Sequence, residues 1–198
     1  RIFTPEESKI DKLYQLYKSD KEDEAIKLAF GILKYSPNDI TTNQILCSIF
    51  INKKDLDMAM EYALIALRYD LEDPSSLLLM GQIMFLRNNV IAAMIYWCEV
   101  YHSNHISLIE KIGKHLIFND YNNLGISFLE RVLEIDPENE EVLSYMYQFY
   151  DEKGDQVKSM MYLKKFLKIY IDIEFEDLIS ILMKEADELA ERLTNMSE

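Results

Sequence analysis

A repeat period of 34 residues constrains the fold of this chain more than any other feature of its sequence. Small residues recur at Ala25, Ala59 and Ala93, each 34 positions after the last. The series continues at Gly125, after a step of 32, and at Ser159, after a further 34. A two-residue deletion in one loop explains the short step. A fixed period of roughly 20–50 residues is typical of proteins built by stacking identical small units.

Other positions keep the same frame. Seven residues after each small residue stands an apolar one: Ile32, Ala66, Val100, Val132 and Phe166. A polar break precedes each small residue by four or five positions: Asp20-Lys21, Lys54-Asp55, Asn88-Asn89, Asp120-Tyr121 and Gly154-Asp155. Between the breaks, apolar residues recur at spacings of three and four, which is typical of a helix with one buried face. The sequence therefore predicts five units, each made of a helix, a short turn and a second helix.

The small residue of each unit has a physical reason. Two antiparallel helices cross closely only where their side chains are small, because a bulky side chain would push the axes apart. Helix starts are also encoded: Thr4 as N-cap, Pro5 at the first helical position and Glu7 completing a capping box. Asp39 and Asp136 are expected to supply similar starts further along the chain.

With these residues in place, the chain resembles the tetratricopeptide repeat (TPR) family. That family has a 34-residue helix-turn-helix with Leu-Gly in its first helix, Ala in its second and Pro at the close. Two segments carry the resemblance best: Met80-Gly81 followed by Asn88-Asn89 and Ala93, and Ile112-Gly113 followed by residues 133–139. Departures are Lys12-Leu13 in place of the Leu-Gly pair, Leu71 and His105 in place of Pro, and Gly125 and Ser159 in place of Ala.

The resemblance implies an all-α fold, a right-handed α-solenoid of antiparallel helix pairs with about 11 helices. One TPR domain is expected over residues 1–198. Its repeats are placed at 5–39, 40–73, 74–105, 106–139 and 140–171. An amphipathic helix is predicted over 174–196, where it caps the last repeat; a dimerisation helix using the same apolar stripe is the alternative. Residues 172–198 carry nine acidic and two basic residues, half of the net charge of −14.

Composition excludes several classes of protein. The net charge of −14 argues against a nucleic-acid surface, which needs clustered Lys and Arg. Five Gly and four Pro are too few for a hairpin-rich β fold or a Gly-rich phosphate loop. No apolar run reaches the roughly 18 residues of a membrane span. Cys47 and Cys98 are expected to be reduced, buried thiols in a cytoplasmic protein. Because the first residue is Arg1, we expect a fragment or a processed chain.

One cluster could support metal chemistry. Cys98, His102 and His105 lie four and three residues apart, and could ligate zinc from one helix face. The simpler interpretation assigns Cys98 to an apolar stripe and the histidines to a helix C-terminus, where they complement the dipole. No Gly-x-Ser-x-Gly nucleophile elbow occurs. We therefore expect no metal, no cofactor and no enzymatic activity.

Stacked first helices are expected to line a concave groove, which in this family commonly binds an extended peptide or a helix. The groove residues expected from the repeat frame are Tyr14, Tyr17, Lys18, Gln44, Ser48, Asn52, Leu78, Gln82, Phe85, Lys114, Phe118 and Gln148. Four aromatic members could anchor a partner, and the amides and the hydroxyl could bond a peptide backbone. The alternative is that the polar members only solvate an exposed face while the aromatic members pack locally.

The family also includes co-chaperones that grip a terminal carboxylate with Lys, Asn and Arg. Here the corresponding positions are Ile10, Tyr14, Ile45, Ser75 and Leu79, none of them basic or Asn. A carboxylate clamp is therefore not expected. The predicted function is a non-enzymatic scaffold or adaptor that binds a protein or peptide. The alternatives are a secretion-type chaperone for an apolar client and a self-associating subunit, such as a homodimer formed through the C-terminal helix.

Overall fold

The computed structural model describes residues 5–170 of the chain. Ten helices occupy this part: α1 (Pro5–Lys18), α2 (Glu22–Leu33), α3 (Ile40–Asn52), α4 (Leu56–Tyr69), α5 (Pro74–Leu86), α6 (Val90–His102), α7 (Ile106–Phe118), α8 (Asn122–Ile135), α9 (Glu140–Glu152) and α10 (Gln156–Tyr170). No strand occurs within 5–170, so the expected all-α class is confirmed. The odd-numbered helices are the first helices of five pairs, and the even-numbered helices are the second.

The chain divides into two compact units, residues 1–128 and residues 129–198. The division falls inside α8. The first unit holds α1 to α7, and the described part of the second holds α9 and α10. The predicted capping or dimerisation helix over 174–196 lies outside the described residues. A single domain over the whole chain stays a prediction.

The turns between the two helices of each pair, at the polar breaks, share one backbone conformation. Each turn contains one residue with a left-handed backbone: Asp20, Lys54, Asn88, Asp120 and Gly154, with φ between 55° and 73°. The next residue donates its backbone N–H to a carbonyl five positions earlier, as Asn89 does to Met84 at 2.9 Å. This is the Schellman arrangement, which satisfies carbonyls at the end of a helix. Every first helix therefore ends in the same way.

Asp or Asn begins most of the helices that follow. Asp39 Oδ1 accepts from the Thr42 N–H at 2.7 Å, and Asp73 Oδ2 accepts from the Ser76 N–H at 2.6 Å. The same role belongs to Asp55, Asn89 and Asn139. The expected start at Asp136 is wrong, because Asn139 supplies the cap and Asp136 accepts from its side chain at 3.1 Å. Pro5 is the first described residue of α1, and the expected start with its Thr4–Glu7 capping box lies outside the residues whose side chains are described.

The small residues of the repeat lie where paired helices cross. The side chains of Ala25, Ala59 and Ala93 are fully buried, and Ser159 is 1% exposed. At Gly125 a Cβ would lie 2.6 Å from the backbone oxygen of Gly113. Helices α7 and α8 therefore approach so closely that only glycine fits. This contact explains why the fourth repeat departs from the alanine of the family pattern.

The cysteines differ from each other. Cys47 is fully buried in α3, where burial raises the pKa of its thiol to about 12, so it is unreactive. Cys98 is exposed. The expectation of a buried thiol is wrong there, because α6 is apolar on several faces and Cys98 lies with exposed Ile91 and Ile95 on its outer side. Over 5–170, no helix is both long and apolar enough to cross a membrane.

Candidate partner-binding groove

The first helices of the first unit form one continuous layer. Helix α1 packs on α3, α3 on α5, and α5 on α7, whereas the second helices α2, α4 and α6 make only sparse contacts with one another. The row of helices therefore bends toward its first helices. We call the solvent-facing side of α1, α3, α5 and α7 the inner face.

Helix α1 presents aromatic and basic groups on the inner face. Tyr14 is 44% exposed, and the Lys18 ammonium lies 5.3 Å from the centre of its ring. Tyr17 is half-buried. The Tyr14–Lys18 pair combines a flat apolar surface with a positive charge, which suits contact with a protein partner.

Two of the three predicted groove residues on helix α3 form hydrogen bonds within the fold. Gln44 donates through Nε2 to Asp73 Oδ2 at 2.6 Å and to Ser76 Oγ at 2.9 Å. Ser48 donates to the Gln44 carbonyl at 2.9 Å. Asn52 is exposed and makes only a long contact of 3.4 Å to Glu22. Gln44 therefore ties two repeats together, and of the three residues Asn52 is the most accessible to a partner.

Helix α5 is mostly interior. Leu78 is 5% exposed, and its carbonyl accepts from Trp97 Nε1 at 3.1 Å. Phe85 is half-buried in a cluster of rings, with its centre 4.9 Å from that of His115 and 5.6 Å from those of Trp97 and Tyr121. Local packing therefore occupies most of the Phe85 ring. Gln82 is half-buried at the inner face.

The remaining predicted groove residues lie on α7 and α9. The Lys114 ammonium contacts Glu110 Oε1 at 2.6 Å, so its charge is compensated within its own helix. Phe118 is 86% exposed at the end of α7. Gln148 is exposed on α9, in the second unit, where it donates to Ser144 Oγ at 3.3 Å.

A small cavity opens between α5 and α7, with Trp97 of α6 at its side. Its volume is about 70 Å³, and its lining residues are Leu78, Gln82, Trp97, Lys111, Ile112 and His115. The Nε2 atom of His115 is buried and has no hydrogen-bond partner among residues 5–170. Burial, and secondarily the charge of Lys111, lowers the pKa of His115. Its imidazole is therefore neutral at pH 7. We call this space the α5–α7 cavity.

The architecture is shared with solved helical-repeat proteins. The chain is similar to TTC0263, a thermophilic TPR protein of Thermus thermophilus, at a TM-score of 0.62 and 14% identity over 93% of this chain and 99% of that one. The chain has the tetratricopeptide-repeat fold. Pseudomonas aeruginosa PilF has a TM-score of 0.65 at 14% identity, over 82% of this chain and 75% of that chain.

A third TPR structure is similar over most of its length. YrrB, described as a TPR protein with an unusual peptide-binding site, matches at a TM-score of 0.50 and 17% identity, over 89% of this chain and 90% of that chain. No protein-family model and no curated protein sequence matches this chain. The likeness is thus one of fold.

The TPR frame also indicates what sequence reasoning missed. Lys111, Trp97 and His115 line the α5–α7 cavity but were not among the expected groove residues. One signal was available for Lys111: it precedes Gly113 by two residues, as Leu79 precedes Gly81. Leu79 is buried in the third repeat, whereas the matching position of the fourth repeat is the exposed Lys111.

The zinc alternative finds no support in the geometry. Among residues 5–170, no group of three or more His, Cys, Asp or Glu side chains is placed to hold a metal ion. Cys98 and His102 are both exposed, and the His102 ring packs 5.3 Å from the centre of Tyr101.

Proposed function

We propose that this chain is a non-enzymatic scaffold or adaptor that binds a peptide or helix of a protein partner on its inner face. The observation that carries the proposal is the exposure of aromatic rings on first helices, Tyr14 at 44% and Phe118 at 86%. Exposed aromatic side chains on a concave surface are typical anchors for a partner. The peptide-binding site named for the similar TPR protein YrrB supports the same direction.

The rigidity of the inner face supports the proposal as well. Gln44 is bonded to the next repeat, and Phe85 is held by three rings. A surface whose supporting residues are already ordered loses little conformational entropy on binding. The first helices therefore present Tyr14, Lys18 and Phe118 from a fixed frame.

Affinity purification from the native host, followed by mass spectrometry, tests the function. Wild-type protein is compared with a Tyr14→Ala/Phe118→Ala variant of the inner face. The matched control, Tyr69→Ala/Ile91→Ala, removes two exposed apolar side chains from second helices. We expect the inner-face variant to recover at least about tenfold less partner than wild type. Its far-UV circular dichroism should be unchanged. Equal capture by all three proteins would refute binding on the inner face.

The alternatives give different results in the same experiment. A secretion-type chaperone would co-purify with an apolar client, and its second-helix control would lose the client if outer residues such as Ile91 bound it. A self-associating subunit, including a homodimer formed through residues 174–196, would recover only itself. A cytoplasmic location and the absence of cofactors and nucleic-acid partners belong to this proposal as predictions.

A further inference from the structure

The α5–α7 cavity combines an apolar floor with a polar rim. Leu78, Trp97 and Ile112 form the floor, and all three are at least 95% buried. Its volume of about 70 Å³ is far below the roughly 300–1,000 Å³ of sites for cofactors or drug-sized ligands. The cavity therefore suits one short aliphatic side chain of a longer ligand.

The rim consists of groups that can donate hydrogen bonds. Gln82, Lys111 and His115 line it, and in the described part of the chain the buried Nε2 of His115 lacks a partner. Lys111 is exposed, and no ion pair to it occurs among the described residues. The carboxylate of Glu110, next to it in sequence, is bound by Lys114 at 2.6 Å.

The charge of this rim contrasts with that of the chain. The protein carries 35 acidic and 21 basic residues, yet the cavity lining contains one lysine, one histidine and no carboxylate. An ammonium with no ion pair among the described residues, beside the side-chain amide of Gln82, is complementary to a carboxylate. The floor and the rim together define a ligand with an apolar side chain and a negative charge next to it.

We propose that the α5–α7 cavity binds an internal peptide segment in which an aliphatic residue is flanked by Asp or Glu. The aliphatic side chain enters between Leu78, Trp97 and Ile112, while the carboxylate pairs with Lys111. This inference rests on the proposed function, because it names the chemistry of the partner that the inner face receives.

A displayed library of random linear peptides, fused at their carboxyl ends, tests the inference on the full chain. Recovered peptides are then synthesised with amidated ends, so that the only carboxylates are those of side chains. Their affinity is measured by fluorescence polarisation for wild type, Lys111→Glu and Lys27→Glu. Lys27 is exposed on the second helix α2, so its reversal changes the net charge equally and serves as the control.

We expect enrichment of an aliphatic residue beside Asp or Glu. Lys111→Glu should weaken binding at least about tenfold, because it sets like charges against each other, while Lys27→Glu changes it little. Replacing the acidic residue of the peptide by its amide should remove the difference between wild type and Lys111→Glu. Circular dichroism verifies that both variants are folded, which an exposed position favours.

The His115 imidazole gives a readout that needs no substitution. Its ring signals in a nitrogen-detected NMR spectrum should shift when an amidated acidic peptide is added, and the amide-substituted peptide should reach the same shift only at a higher concentration. Unshifted signals with a bound acidic peptide would place that peptide elsewhere and overturn the inference.

Other outcomes distinguish a failure of the acidic-peptide proposal from a failure of the proposed inner-face function. If wild type recovers peptides but Lys111→Glu binds them equally well, the acidic specificity is wrong and the inner-face function stands. If only peptides with a free terminal carboxylate bind, the internal-segment assignment is wrong. If no peptide is recovered, peptide binding itself fails. If wild type self-associates in sedimentation and Lys111→Glu does not, a second copy fills the cavity, and the proposal is overturned.

Discussion

The third and fourth repeats both have a glycine where their two helices cross, but the glycine makes room for a different neighbour in each. In the third, Gly81 of α5 leaves room for the indole of Trp97 on α6, which would overlap any Cβ at that position. In the fourth, Gly125 of α8 lies against the backbone of α7, where an added Cβ would be 2.6 Å from the Gly113 oxygen and 3.0 Å from the Ile117 nitrogen. One glycine accommodates a side chain, and the other accommodates a neighbouring helix. The two glycines are therefore required by different kinds of neighbour.

The largest effect is expected at the side chain that fills the third crossing. Trp97→Ala should lower the free energy of unfolding by about 3–5 kcal/mol, because it empties a site that is 1% exposed. Chemical denaturation followed by circular dichroism measures it. Ile95→Ala, on the same helix and 65% exposed, is the control and should stay within about 0.5 kcal/mol of wild type. Equal losses would mean that Trp97 is not the core of this crossing.

The fourth crossing should resist even one added methyl group. Gly125→Ala is expected to cost about 2–3 kcal/mol, since its Cβ meets backbone atoms that cannot rotate away. Gly31→Ala is the control: its Cβ has nothing within 4 Å, so the better helix propensity of alanine should stabilise the chain by up to about 1 kcal/mol. Denaturation midpoints report both. A neutral Gly125→Ala would contradict the close helix approach.

Gly81→Ala should cost about 1–3 kcal/mol, because the indole that its Cβ would overlap is 1% exposed and donates to the Leu78 carbonyl, so it cannot easily move away. The decisive measurement is a double-mutant cycle with Trp97→Ala. If the indole is the obstacle, adding Gly81→Ala to Trp97→Ala should cost nothing further. Additive losses would show that backbone, and not Trp97, limits the third crossing as it does the fourth.

The turns between paired helices can be compared in the same way, and substitutions there should change the free energy of unfolding least. Lys54 has φ 61° at the position where the third repeat has Asn88 and the fifth has Gly154. Lys54→Gly should stabilise the chain by about 0.5–1 kcal/mol, because a left-handed backbone is costly for lysine and free for glycine. Thermal denaturation measures the gain. Asn88→Gly should gain less, since asparagine tolerates this conformation better; the reverse order would contradict the account.

The helices were predictable because their ends are written into the sequence. Each polar break supplies a left-handed residue and, at Asp55, Asn89 and Asp155, a side chain that caps the next helix. These caps and turns depend only on residues that are close in sequence, so the repeat period is enough to locate them. Asp136 shows the limit: either Asp136 or Asn139 could begin α9, and only the backbone path selects Asn139.

The candidate site was less predictable, because it depends on contacts between repeats. Helix α6 is apolar on several faces, so periodicity alone could not tell that Trp97 is interior and Cys98 exposed. The ring cluster around Phe85 draws members from α6, α7 and the turn before α8. Such a cluster follows from the rotation between successive helix pairs, which no single repeat encodes.

Trp97 also makes the molecule its own optical sensor. It is the only tryptophan in the sequence, it is 1% exposed, and it forms part of the α5–α7 cavity wall. Excitation of the indole therefore reports on the first unit alone, with emission at the short wavelengths of an apolar environment. A side chain entering the cavity changes that emission without any attached dye, so occupancy can be followed in real time in the unmodified protein.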